Sequence, residues 1–581
     1  MTARQDRTIA QDFDREFRAQ VAQMTSGLAP SAFTAAWADW ATQMAVSPAR
    51  RAELRRHAME RAGDTFAFAL RALTGAPVSP ADGLADSEVD RRFADQNWWQ
   101  FPFNVYARAY QNNAALMNET VQGVGGVSEY HGQLVEFTVR MLLDASSPSN
   151  YLASNPELLA LTKSEQGQNL MRGLQHLVQD IGSTLEHGAP AGSDEHEVGR
   201  TLAVTPGKVV FRNELIEVLQ YEPTTKDVFA EPILIVPAWI MKYYILDLSP
   251  RNSMVKYLVD QGHTVFMISW KNPGEDDREF GMDDYVHKGF RAALDCVSAI
   301  VPKRQVHAVG YCIGGTLLAI GAASLARQKD DRLASVTMFA AQTDFTEPGE
   351  LAFFINPSQL AMLEATMHKK GVLDSKQMGG AFAMLRAKDL LWQPMIDSYL
   401  KGQRAPMIDL MAWNADGTRM PARMHTEYLY RLYLSNELAT NRFPLDDKLV
   451  RLSDIRVPMF VVGTETDHVA PWKSVYKVDN LVRSDDLTFV LTSGGHNAGI
   501  VCGPVHPKRH YRMHTRRLVD PHQAPDEWMD ETGKHAGSWW PAWQQWLAAH
   551  SSGRVKPPKI GATRQGYAVI DDAPGQFVRQ R

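Results

Sequence analysis

The sequence predicts an α/β fold, a mostly parallel sheet flanked by helices, with a helical region ahead of it. Three observations carry this. Short β-rich runs recur from Lys208 onward and later alternate with helical stretches, the βαβ rhythm of a parallel sheet. One run, Val306-His307-Ala308-Val309, leads through Gly310-Tyr311-Cys312-Ile313-Gly314 into an apolar helix opening at Thr316. Strand, glycine-flanked turn and helix are the context of a nucleophile elbow, here with cysteine where serine is usual. Residues 1 to about 190 show helical periodicity instead, as Leu170, Leu174, Leu177 and Ile181 do on one face.

The helical N-terminal domain, residues 1–190, carries no chemical motif, and Met1 to Gln20 is charged and lacks the apolar core of a signal peptide or membrane anchor. The loop His187 to Glu197, rich in Gly, Ala, Pro and acidic residues, marks the boundary to a catalytic domain at 191–551. Its early strands are Lys208–Phe211, Leu215–Tyr221, Ile233–Val236 and Thr264–Trp270, and Ser335–Ala340 follows the elbow. More than a hundred residues then pass before the next strand at Val457–Gly463, so a cap is inserted at about 346–445. Its Met and aromatic content, including Met362, Trp392, Trp413, Tyr428 and Tyr433, suits a cover over an apolar substrate path, while most of these residues singly read as packing. Leu487–Leu491 is the next strand, and the tail 552–581, with Gly, Pro, Arg and Lys, reads as irregular.

With such an elbow, the acid and histidine follow the nucleophile in that order, on loops after later strands. Asp467 stands in Thr464-Glu465-Thr466-Asp467-His468 after Val457–Gly463, and His496 in Ser493-Gly494-Gly495-His496-Asn497 after Leu487–Leu491. Cys312, Asp467 and His496 are therefore the candidate triad of an α/β-hydrolase fold, with Asp344, after Ser335–Ala340, as the rival acid. The oxyanion hole takes the Ile313 backbone N–H and a second donor from the loop after Ile233–Val236, near Trp239 or Ile240. His468 reads as tuning its neighbour Asp467. Cys296 and Cys502 read as packing, and Trp539, Trp540, Trp543 and Trp546, at helical spacing, as a buried face. His506, His510 and His514 would share one face of a helix, but Pro507 and the lack of a carboxylate or cysteine partner favour a satisfied row, so no metal is expected.

A chain of 581 residues, 44% hydrophobic and 22% charged, can bury a sizeable core. Its 61 basic and 66 acidic residues leave a net charge of -5, which points away from nucleic acid. The longest apolar stretches, such as Pro232 to Met241, fall short of the roughly 18 residues of a spanning helix. Three cysteines without metal-ligand spacing favour free thiols in a reducing, cytoplasmic compartment.

With the motifs in place, the sequence resembles the polyhydroxyalkanoate synthases, in particular the single-subunit class I type. Cys312 in GYCIGGT, Asp467 in TDHVAPW and His496 in GGHNAG match the family's catalytic motifs, as do SPSNYLASNPE (147–157), VGRTLAVTPGKVVF (198–211), KYYILDLSP (242–250), GHTVFMISWKNP (262–273) and HAGSWWPAW (535–543). Gly274, where many members are acidic, and the segment Thr418 to Arg442 depart from the pattern. The resemblance implies polymerisation of (R)-3-hydroxyacyl-CoA, of the short-chain 3-hydroxybutyryl type, through a thioester on Cys312. It implies no cofactor beyond the CoA carried by the substrate. It also implies a homodimer, and a cytoplasmic polyester granule with granule-associated proteins as the setting.

Overall fold

Eleven strands build one sheet in the computed structural model, which describes residues 9–24, 29–75, 77–187, 192–504, 506 and 508–581. In chain order they are β1 (Gly207–Arg212), β2 (Ile216–Tyr221), β3 (Ile233–Val236), β4 (Val265–Trp270), β5 (Val306–Tyr311), β6 (Leu333–Phe339), β7 (Met459–Thr464), β8 (Leu487–Thr492), β9 (His510–Arg516), β10 (Lys534–Ala536) and β11 (Asp571–Asp572). Across the sheet they run β10-β9-β8-β7-β6-β5-β3-β4-β2-β1-β11. Strands β4, β3, β5, β6, β7 and β8 are parallel to their neighbours in this series, and antiparallel strands extend both edges.

Parallel strands are covered on both faces, which is why β3, β5, β7 and β8 are buried along their whole length. Alternate residues feed two cores: Phe266, Ile268 and Trp270 of β4 join one, Val265 and Met267 the other. Cys312 touches both cores, at the point where β5 passes into the helix Ile313–Arg327.

The histidine row departs from its helical expectation. His510–Arg516 is strand β9, whose period of two puts His510 and His514 on one face, and His510 bonds Glu465 at 3.0 Å. Pro507 lies outside the described residues, as do residues 188–191 of the expected boundary loop. In the tail, β11 pairs with β1, Arg554–Val555 pairs with Val228–Phe229, and Phe577 and Val578 are buried.

The chain divides into two compact units. The sheet unit comprises Met1–Gln23, Gly192–Met378 and Met407–Arg581. Its part of the cap insertion includes the helices Pro357–Lys370, Asp409–Ala415 and Ala422–Tyr428, with Met420 and Met424 reaching into the core.

The helical unit comprises Met24–Ala191 and Gly379–Pro406, so the middle of the cap insertion packs with the N-terminal helices. Its helices include Pro30–Ala45, Pro48–Ala72, Phe103–Val121, Glu129–Ser146 and Gln168–His187, the first two opening with proline, which fits a helix's first position. Helix Gln168–His187 meets residues 396–404 at backbone distance. A Cβ on Gly173 would lie 1.8 Å from the Tyr399 carbonyl oxygen. Buried Asn169 donates to the Leu400 carbonyl at 2.8 Å, and Arg404 donates to Asp180 and to the His176 carbonyl at 2.8 and 2.9 Å.

Candidate active site

Cys312 turns the chain from β5 into its helix with φ 54° and ψ -131°. A side-chain-bearing residue holds such a conformation only where its surroundings impose it. The neighbouring glycines allow that imposition. A Cβ on Gly310 would meet Gly315 Cα at 2.4 Å, and one on Gly314 would meet the carbonyl oxygens of Val236 and Pro237 at 2.3 and 2.5 Å. Strand, helix and the loop after β3 therefore close to backbone contact around the thiol.

Asp467 follows β7 with its side chain fully buried. Four donors hold it: the Thr464 hydroxyl at 2.9 Å, the N–H groups of Val469 and Ala470 at 2.9 and 2.8 Å, and His496 Nδ1 at 2.8 Å. A carboxylate only accepts, so Nδ1 carries the proton and Nε2 is left free on the side of Cys312, which acts electrostatically on the imidazole. Burial alone would raise the Asp467 carboxyl, yet His496 and the backbone donors hold it below its ordinary value. Burial alone would lower His496, and the facing Asp467, with Cys312 beside it, raises it well above its ordinary value.

The His496 loop is fastened from three directions. The indole N–H groups of Trp539 and Trp540 donate to the carbonyls of Gly499 and Ile500 at 3.0 and 2.9 Å, which gives that buried tryptophan face a task. Tyr311, the residue before the thiol, donates its hydroxyl to Asn497 Oδ1 at 2.5 Å.

Trp239 and Ile240 lie just beyond β3. The buried Thr418 hydroxyl donates to the Trp239 carbonyl at 2.6 Å, and the Thr418 N–H to the Ile240 carbonyl at 3.4 Å. In a planar trans peptide this turns the Ile240 N–H away from Thr418. Thr418 belongs to the cap insertion, so the cap grips the loop expected to hold the second oxyanion donor. Ile313, the first expected donor, begins the helix and is buried.

Asp344, the rival acid, is engaged elsewhere: its carboxylate accepts from the Thr346 N–H and hydroxyl at 2.8 and 2.6 Å and from Asn436 at 3.0 Å. Cys296 and Cys502 are buried, and burial raises both thiols. Among the described residues no group of three or more His, Cys, Asp or Glu side chains is placed to hold a metal ion. Two cap residues not singled out for the site adjoin it electrostatically. Tyr428 donates to Tyr433 Oη at 3.1 Å, and both phenols, raised chiefly by burial, are raised further by Cys312. Tyr311 and Asn497 had one readable signal, their adjacency to the thiol and the imidazole.

The elbow after β5, the acid after β7 and the histidine after β8, in that chain order, define an α/β-hydrolase-fold protein, and residues 231–501 match the alpha/beta hydrolase fold family. Among solved structures, the Paleococcus ferrophilus monoacylglycerol lipase aligns with a TM-score of 0.34 and 12% identity, over 58% of this chain and 100% of the lipase. Residues 8–50 match the N-terminal family of poly-beta-hydroxybutyrate polymerase, and residues 89–258 match the PhaC N-terminus of the same polymerase. The chain is 39% identical to the poly(3-hydroxyalkanoate) polymerase subunit PhaC of Rhizobium etli, over 88% of this chain and 79% of that one. It is 38% identical to the poly(3-hydroxyalkanoate) polymerase of Methylorubrum extorquens (89% and 84% covered) and 36% identical to the subunit of Cupriavidus necator (86% and 85%). The chain belongs to the poly(3-hydroxyalkanoate) polymerase family.

Proposed function

We propose that the protein polymerises (R)-3-hydroxyacyl-CoA, with (R)-3-hydroxybutyryl-CoA as the short-chain substrate, and releases CoA through a thioester on Cys312. The observation that carries this reading is the buried His496–Asp467 pair beside a cysteine held in strained backbone. His496 Nε2 takes the thiol proton, and the thiolate attacks the acyl carbonyl. CoA leaves as a thiol with the proton returned by His496. One thioester has replaced another, so the acyl group stays activated on the enzyme. The 3-hydroxyl of an incoming acyl unit then gives its proton to His496 and attacks the Cys312 thioester, forming an ester and freeing the cysteine.

The family resemblance gives Asp467 a second task, helping to deprotonate the 3-hydroxyl. Its fully buried side chain and four donors favour action through His496 instead, by fixing the tautomer and stabilising the imidazolium. The Ile313 N–H and a donor from Trp239 or Ile240 stabilise the oxyanion, each worth about 10²–10³ in kcat. The reaction as written uses no cofactor beyond the substrate's CoA. We place the enzyme in the cytoplasm, as a homodimer at a polyester granule with its coating proteins. The exposed apolar stripe Met171, Leu174, Val178, Ile181 and Leu185 on the helical unit supports such an association. Among the described residues no helix is long and apolar enough to cross a membrane.

The test is an assay of the purified protein with (R)-3-hydroxybutyryl-CoA, following thiol release and recovering the acyl product. High-mass polyester, lost in Cys312→Ala, supports the proposal. Free 3-hydroxybutyrate makes the protein a thioesterase, and silence across several acyl lengths from folded protein makes it a binding protein.

A further inference from the structure

We propose that the Tyr311 hydroxyl and the Asn497 side chain form a brace that sets the approach of His496 to Cys312, making both positioning residues. The inference rests on Cys312 and His496 acting together, as in the reaction above. Tyr311 directly precedes the thiol and Asn497 directly follows the imidazole, although the two are 186 positions apart in sequence. Their 2.5 Å hydrogen bond ties the end of β5 to the loop after β8, one residue from each reacting side chain.

Both ends of the brace are anchored. Tyr311 is the last residue of β5 and is 2% exposed. The Asn497 carbonyl accepts the N–H groups of Ile500 and Val501 at 3.0 and 2.9 Å, closing the turn that Trp539 and Trp540 hold. The Tyr311 ring lies 5.7 Å from the His496 ring at 34°, so it fills the space beside the imidazole while its hydroxyl reaches past to Asn497. Without that bond the β8 loop still has its tryptophan anchors, but it loses its hydrogen bond to the end of β5 beside the thiol. A shift of about 1 Å there costs as much as 10²-fold in rate. The titratable groups around the pair are Asp467 from the β7 loop, Tyr311 from β5, and Tyr428 and Tyr433 from the cap, with the three phenols neutral at working pH. A change in the pH response of Cys312 therefore reads the placement of His496 against Asp467 and the thiol.

The experiment uses the full chain and two readouts. The first is the rate of Cys312 alkylation by iodoacetamide as a function of pH, read by mass spectrometry of the peptide, which needs no substrate. The second is kcat and KM for thiol release from (R)-3-hydroxybutyryl-CoA. In Tyr311→Phe and in Asn497→Ala the pH of half-maximal alkylation rises by about one unit, and kcat falls roughly tenfold with KM within about twofold. The double variant is no worse than either single one, because each removes the same bond. An alkylation profile unmoved in Tyr311→Phe, with or without a lower Tm, overturns the proposal, as do single losses that multiply in the double variant. If the profile moves but the parent protein makes no polyester, the brace stands and the proposed reaction falls.

Discussion

The helical unit and the sheet unit both pair histidine with carboxylate, at nearly the same distance: His131 Nδ1 lies 2.6 Å from Asp39, and His496 Nδ1 lies 2.8 Å from Asp467. What differs is the surroundings. The His131 and Asp39 side chains are 29% and 24% exposed, against 11% and 0% for His496 and Asp467, and only the second pair faces a thiol on a strained turn. The helical unit also holds a groove of about 1210 Å³ lined by charged side chains. Those charges largely answer one another, Arg61 with Glu88, Arg108 with Asp64, and Arg92 with Asp90 and Asp144. Neither a large groove nor a histidine–carboxylate bond marks chemistry. Desolvation of the pair beside a thiol on a strained turn is what makes the second a candidate site.

The sharpest way to break the contrast is to remove the nucleophile. Cys312→Ala lowers thiol release from the acyl-CoA by on the order of 10⁴–10⁶-fold. Next come the two carboxylates. Asp467→Asn lowers kcat by about 10³–10⁴-fold, since the imidazole loses its tautomer control, whereas Asp39→Asn leaves kcat within about twofold. Equal losses at the two positions would erase the distinction.

Close-packed glycines give a third comparison. Gly314→Ala drives a Cβ against the Val236 carbonyl oxygen and Gly173→Ala drives one against the Tyr399 carbonyl oxygen, so each destabilises by about 2–4 kcal/mol in denaturant melts. Only Gly314→Ala also shifts the alkylation profile of Cys312, because it displaces the elbow.

The effect that is smallest near neutral pH is on pH-dependent stability. Burial pushes His263 down to about 3 and His307 to about 4. Unfolded, each takes up a proton below about pH 6.5, which the folded chain refuses until far lower pH, so stability falls as pH drops through that window, by up to roughly 1.4 kcal/mol per unit per histidine. His496 has the opposite sign: its raised value stabilises the fold below about pH 6.5 and that contribution is lost as pH rises through its folded value. Neither ring nitrogen of His263 has a hydrogen-bond partner among the described residues, so His263→Leu should flatten the acid limb of the denaturant midpoint without loss at neutral pH. An unchanged acid limb would show that His263 titrates normally.

What was legible in the sequence was whatever local chemistry dictates. The parallel strands announce themselves as apolar runs because both their faces are buried, and the elbow because its glycines are needed for backbone contact. Strand β9, His-Tyr-Arg-Met-His-Thr-Arg, lies one strand in from the sheet's edge and packs only Tyr511 and Met513 against the core, too short an apolar alternation to announce it, so its histidines looked like a helical row. The cap read as one insertion, yet its middle packs with the N-terminal helices through Gly173 and Asn169, contacts that no local pattern encodes. Asp467 and His496 could be found from strand ends, while Asn497, Thr418 and the tryptophan anchors depend on partners 40 to 186 positions away.

The bond from Asn169 to the Leu400 carbonyl spans 231 positions of chain. During synthesis at roughly 5–20 residues per second, the helix carrying Asn169 emerges some 10–50 s before the strip that covers it. For that interval the helical unit waits with Gly173 bare on the growing chain. A shortened protein that ends before residue 396 never receives that cover, so the N-terminal helices gain it only once about half of the sheet unit has been made.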